Sequence, residues 1–147
     1  MSTKSKKSKL RKISSKTIKP KRTKIICVSH KEDADGISSA ALIKQAVGGE
    51  TILVDYPGMM DVLESLRNDE KLGKLFICDL GLNKQTNDGF VALLTELRKK
   101  RISVTYVDHH DMDSKVISKL KKIKVKLIHN ISECTSCLLY TSPSPRD

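Results

Sequence analysis

The feature that most constrains this chain is its regular alternation of short apolar runs with helical patterns. β-type runs occur at 25–29, 51–55, 74–78, 103–107 and 125–129. Continuous apolar runs this short suit strands that are covered on both faces. Each gap carries helical spacing. Residues 37–47 read as a helix stopped by Gly48-Gly49. Met59, Val62, Leu63 and Leu66 fall at i, i+3, i+4 and i+7, as do Phe90, Leu93, Leu94 and Leu97. Val116, Ile117 and Leu120 mark a shorter helix that Asp111 or Asp113 can cap. Strict β-α alternation predicts an α/β fold, with a doubly wound, mainly parallel five-stranded sheet and helices on both faces. No internal repeat is evident.

A sheet of that kind brings every strand's carboxyl end to one edge, where such folds keep their chemistry. The runs end accordingly. His30, Asp33 and Asp35 follow the first, Asp79 the third, and Asp108-His109-His110 the fourth. Asp55 and His129 close the second and fifth, where ordinary loop polarity accounts for them. Acids and imidazoles gathered on one edge repel one another or shift toward neutrality unless a cation joins them. A pair of divalent metals resolves that conflict, and mixed carboxylate and imidazole donors suit manganese-like ions.

Composition narrows the setting. A chain of 147 residues fits one domain with a real core. Nothing approaches the roughly 18 to 20 apolar residues of a membrane span, no signal-peptide core is visible, and the expected location is the cytoplasm. The net charge of +11 is lopsided: residues 1–24 hold 11 of the 28 Lys and Arg and no acid, leaving 17 basic against 17 acidic residues elsewhere. That Lys/Ser/Thr-rich segment buries too little to offset its ordering entropy and is expected to be disordered. It reads either as a polybasic arm that contacts phosphates without sequence preference or as a solvated terminus. Its bias to Lys over Arg argues against a mitochondrial presequence. At the other end, residues 137–147 read CLLYTSPSPRD. One codon choice for that string spells a transposase adaptor used in sequencing libraries. The segment is therefore expected to be a read-through artefact, and native sequence to stop near Ser136.

Three motifs carry a family resemblance. Residues 28–40, running from Val28-Ser29-His30 through Asp33-Ala34-Asp35-Gly36, resemble the first motif of the DHH phosphoesterase superfamily. Asp79-Leu80-Gly81 resembles the second, and Asp108-His109-His110 the triplet that names the family. The order and spacing over 25–136 fit an N-terminal DHH domain of RecJ-like, archaeal-type members, and residues 128–136 resemble the helix entry after their fifth strand. The resemblance implies that His30 and Asp33 hold one metal, Asp35 and His109 the other, and Asp79 both. Asp108 joins the metal shell or orients His109 from behind, and His110 faces the scissile phosphate as electrophile or proton donor. The implied chemistry is two-metal hydrolysis of phosphodiester bonds by an activated water, with manganese the expected ion and magnesium the alternative. The implied substrate is a single-stranded nucleic acid or oligonucleotide, cut by an exonuclease or oligoribonuclease. Cyclic dinucleotides and polyphosphate fit the same catalytic half, and a non-catalytic binding module of a replication or repair complex is a further reading.

Two features depart from the family pattern. Lys31 and Glu32 put two residues between His30 and Asp33, where many members have one and others three. The family's fourth metal-binding motif, a downstream Asp, and its C-terminal substrate-gripping domain do not occur in the sequence. The chain as written is therefore expected to bind metal poorly and hydrolyse little. Other features have plain readings. Cys134 and Cys137 are one pair, which cannot complete a structural zinc site. Cys27 and Cys78 lie in apolar runs and read as buried thiols. Lys99-Lys100-Arg101 closes a helix, where cations complement the dipole. Two Phe, three Tyr and no Trp leave little for a base-stacking platform.

Overall fold

A computed structural model describes residues 21–142. Most of the basic N-terminal segment (1–20) and the last residues of the suspected adaptor (143–147) lie outside the described residues. Strands β1 (Lys24–His30), β2 (Glu50–Val54), β3 (Leu72–Cys78), β4 (Ser103–Asp108) and β5 (Lys126–His129) alternate with helices α1 (Ala34–Val47), α2 (Tyr56–Ser65), α3 (Asn87–Lys99), α4 (Ser114–Lys122) and α5 (Thr135–Thr141). A single 3-10 turn, Leu66–Asn68, continues α2. The strands form one parallel sheet in the order β2-β1-β3-β4-β5. The chain reverses its direction of travel between β1 and β3, which is the switch point where doubly wound sheets open a crevice.

The sheet divides the core in two. Ile26, Val28, Leu75, Ile77, Val104 and Tyr106 face one way, onto Met59 and Leu63 of α2, Phe90, Leu93, Leu94 and Leu97 of α3, and Val116 and Leu120 of α4. Cys27, Phe76, Cys78 and Val107 face the other, onto Ala40 and Ile43 of α1 and Leu138 and Leu139 of α5. Alternate residues of each strand thus serve opposite layers, and both layers are apolar, as a covered parallel sheet requires. Cys27 and Cys78 are free, buried thiols.

The helix ends obey local chemistry. Asp33, Asp55 and Asp113 each accept a backbone N–H in the first turn of α1, α2 and α4. Asp55 is therefore a helix cap, not the last residue of β2. Gly48 and Gly49 close α1 with φ of 73° and 86°, a backbone region that suits glycine. Helix α5 crosses the 136/137 boundary, and Cys134 and Cys137 form a disulfide at its start.

One close approach positions the site. The Ser29 hydroxyl donates to Gly36 O at 2.7 Å and reaches Cys78 O at 3.1 Å, tying α1 to the ends of β1 and β3. A Cβ on Gly36 would stand 2.2 Å from the His30 carbonyl oxygen. Neither the strand nor the helix backbone can yield that distance cheaply. Gly36→Ala should destabilise the fold by about 1–3 kcal/mol, read as a lower urea midpoint at unchanged slope.

Candidate metal centre

Strand register sets the site before any side chain is placed. Ser29 pairs with Cys78, Cys78 with Val107, and Asp108 with His129, so β1, β3 and β4 end level. With strands about 4.8 Å apart, the three ends span roughly 10 Å, and Asp79 stands in the middle.

From β1, His30 is buried, and its Nδ1 lies 3.0 Å from Asp33 Oδ2. The other Asp33 oxygen accepts Gly36 N–H at 2.8 Å, so capping α1 also aims Asp33 at the imidazole. From β3, Asp79 is fully buried and left-handed, with φ of 55°. A non-glycine residue in that region is strained, and such strain gathers at functional sites. Asp79 Oδ1 accepts the Thr135 hydroxyl at 3.0 Å and lies 3.3 Å from His109 Nε2. From β4, His109 Nε2 also lies 3.6 Å from Asp35 Oδ2. Both Asp35 oxygens accept backbone N–H groups of α5, from Thr135 and Ser136, each at 2.8 Å.

Two groups of donors result: His30, Asp33 and Asp79, and Asp79, His109 and His110, each with its ligand atoms within 4.8 Å of one another. Asp79 belongs to both. Asp35 adjoins the second group through His109, and Asp108 lies outside both. Of the four buried side-chain atoms without a hydrogen-bond partner among the described residues, two stand here, Asp79 Oδ2 and His30 Nε2, while the others, Ser39 Oγ and Arg67 Nε, lie elsewhere. Buried polar atoms are almost always satisfied, and this pair is a carboxylate oxygen and an imidazole nitrogen, both good ligands for a divalent cation. The donor set fits the metals that the sequence motifs imply.

Asp108 orients His110 rather than His109. Its Oδ1 stands 2.7 Å from His110 Nδ1, and its Oδ2 accepts His110 N–H at 3.2 Å. An Asp accepting from the residue two positions on is a local turn, which explains the choice of ring. His110 Nε2 is then left for the cleft, where it meets the Tyr56 hydroxyl at 3.3 Å. The Tyr56 ring packs 4.8 Å from that of His30. His129 Nε2 lies 2.7 Å from the His110 carbonyl oxygen, so its end of β5 braces the triplet. Gly81 is tight for a similar reason: a Cβ there would stand 2.8 Å from His110 Cγ. Tyr56 and Thr135 are the site residues that sequence reading missed. An aromatic after a strand-end acid is a usable signal for Tyr56, whereas a lone Thr a long way along the chain from Asp79 carries none.

The electrostatics follow from crowding. Burial pushes the Asp79 carboxyl from 3.8 to about 6, against the Thr135 hydroxyl and with the help of repulsion from Asp35 and Asp33. The Gly36 amide first, and His30 after it, hold Asp33 low. Asp35 is raised by burial but brought below its ordinary value by its hydrogen bonds to Ser136 and Thr135. Burial disfavours a charged His110, yet the Asp108 hydrogen bond and the fields of Asp108, Asp79 and Asp33 raise its pKa.

These directions fix a pH dependence for the metal-free protein. The fold holds the Asp79 proton more tightly than the unfolded chain does, so that stability is complete below about pH 4 and lost as pH rises through about 6. The loss is on the order of 3 kcal/mol. His110 acts in the same direction at higher pH, its contribution fading as pH rises through its raised pKa. Asp33 and Asp35 act oppositely, and only as pH falls below the ordinary carboxylate range. Urea unfolding between pH 4 and 8 should therefore show falling stability, with Asp79→Asn flattening most of the fall. A parent curve that rises over this interval would contradict the assignment of Asp79.

Comparison with known proteins places this geometry. Residues 24–142 match the DHH family, N-terminal domain. A crystal structure of an uncharacterized protein from Helicobacter pylori G27 superposes with a TM-score of 0.58 at 16% identity. That match covers 80% of this chain and 35% of the other, so this chain spans about a third of the neighbour's length. At that identity the likeness shows the fold alone. No curated protein matches. The family is one of metal-dependent phosphoesterases, and the motif residues that point to it meet at one sheet edge. The chain belongs to the DHH family, as its N-terminal domain.

Proposed function

We propose that this site hydrolyses phosphodiester bonds of single-stranded nucleic acid, as an exonuclease or oligoribonuclease. The observation that carries the reading is Asp79, shared by two donor groups, buried, and with one oxygen that has no hydrogen-bond partner among the described residues. His30 and Asp33 would hold a divalent cation on one side of it, and Asp35 and His109 on the other. Manganese first, or magnesium, would supply Lewis acidity toward the phosphoryl oxygens and the means to activate water.

The protein's own groups do the rest. Asp35 is pinned by two backbone amides, so its remaining lone pairs face His109 in a fixed direction. Asp108 holds the Nδ1 proton of His110 and thereby presents Nε2 to the cleft. A proton kept on Nε2 by the raised pKa of that ring can be donated to a phosphoryl or leaving oxygen. Tyr56 occupies the hydrogen-bonding position at Nε2 that a substrate oxygen would take. The 11 Lys and Arg of residues 1–24, which carry the whole excess of positive charge, favour a polyanionic substrate.

The test is made on the protein carried to the end of its genomic reading frame. With manganese, an end-labelled single-stranded oligonucleotide should be shortened. His110→Ala should lower kcat roughly 10²- to 10⁴-fold, and Asp79→Ala should abolish cleavage. Asp79→Ala with full activity would sink the bridging role. Cleavage of a cyclic dinucleotide or polyphosphate, with the oligonucleotide untouched, would overturn the substrate class.

A further inference from the structure

The edge of the sheet opposite the metal centre carries a second, differently charged surface. Lys99, Lys100 and Arg101 end α3, Lys121, Lys122 and Lys124 surround the end of α4, and Lys126 opens β5, all of them exposed. None is in an ion pair with a described residue. Lys100 alone is engaged, donating to Arg67 O at 2.6 Å. Of the acids on this side of the sheet, Glu96 is held by Arg67 at 3.4 Å, and Glu50 and Asp69 by Lys24 at 3.2 and 3.1 Å, while Glu70 has no ion pair among the described residues. Two helix ends contribute only about half a negative charge each, so the dipoles do not account for the accumulation.

The backbone gives a second, independent observation. Arg101 and Lys124 have φ of 64° and 61°, and with Asp79 they are the non-glycine residues of positive φ among those described. Both sit just past a helix, in matching turns. Ile102 N donates to Leu97 O past α3, and Val125 N donates to Leu120 O past α4. Glycine is the usual occupant of that left-handed position, because any side chain is strained there. Here both positions carry cations instead. Arg98 joins the two turns, its guanidinium donating to Ile123 O at 3.2 Å and Ile102 O at 2.8 Å. Between them lies a cleft of about 310 Å³ lined by Thr95, Arg98, Lys99, Ile123 and Lys124.

We infer that this basic rim is a binding site for the phosphate backbone of single-stranded nucleic acid, separate from the metal centre by the length of the sheet, roughly 20 Å. Arg98 ties the two matching turns together, so their cations gather on one surface that complements a polyanion. The large exposed apolar side chains among the described residues are Ile37, Leu53, Tyr56, Ile131 and Tyr140, and none stands on this rim. It therefore offers nothing to insert into a bilayer and no ring on which to stack a base. Binding should be sequence-tolerant and salt-dependent. The inference does not depend on the reading of the metal centre.

The experiment compares the full chain with a variant carrying Arg101→Gly, Lys124→Gly, Lys99→Gln and Lys121→Gln, titrated with fluorescent dT20 from 50 to 200 mM salt. The variant should melt no lower than the parent, since glycine relieves both left-handed positions. Its affinity at 50 mM salt should fall at least about tenfold, and the slope of log affinity on log salt should drop by about 0.7 for each phosphate no longer neutralised. Mass-spectrometric acylation supplies a residue-level readout: dT20 should protect Lys99, Lys121, Lys122 and Lys124 but not Lys44 or Lys84. Parent-like affinity and slope in the variant would overturn the site. So would a parent that does not bind dT20, or rim lysines that phosphatidylserine vesicles protect as well as dT20 does.

Discussion

The burial of the Asp79 carboxyl at the end of β3 is the constraint around which the rest of the active edge is arranged. A carboxylate removed from water, with Asp33 and Asp35 close by, is destabilised until a proton or a cation compensates it. Its left-handed backbone, the Thr135 hydroxyl and the His109 imidazole hold it there nonetheless. An arrangement that costs stability in the empty protein can be retained for what it binds. That is the usual relation between a preorganised site and its fold.

Parallel topology decides where charges of each sign accumulate. Strands end at one edge, so loop residues that follow them meet there, and these are the acids and imidazoles of the metal centre. Helices return in the opposite direction, so the ends of α3 and α4 lie at the far edge, where cations complement the dipoles. One connectivity thus separates an acidic edge that suits cations from a basic edge that suits phosphates.

Much of the framework was legible before any tertiary packing was known. Phe90, Leu93, Leu94 and Leu97 share one helical face, and all four are buried in α3. Gly48-Gly49 marks the end of α1 and stands there with positive φ. Boundaries were less legible. Asp55 reads as the end of a strand but caps the next helix, because an Asp side chain can reach a backbone amide that an apolar residue cannot. The partner of Asp108 was likewise misread: the motif points to the metal shell or to His109, whereas the carboxylate holds His110, because that pairing turns on a two-residue loop geometry invisible in composition.

The sequence by itself determined the order of elements, the apolar layers and the residues that end each strand, because periodicity and local capping act over a few positions and need no distant partner. Only the tertiary structure decided which of those strand-end groups meet. Register between β1, β3 and β4 levels their ends, Thr135 reaches Asp79 across the fold, and Tyr56 comes to rest on His110. It also decided that three lysines and arginines closing one helix adjoin another cluster closing the next. Those meetings depend on how the sheet is ordered and covered, and side chains far apart in the chain acquire a shared chemistry only once packing has removed the water between them.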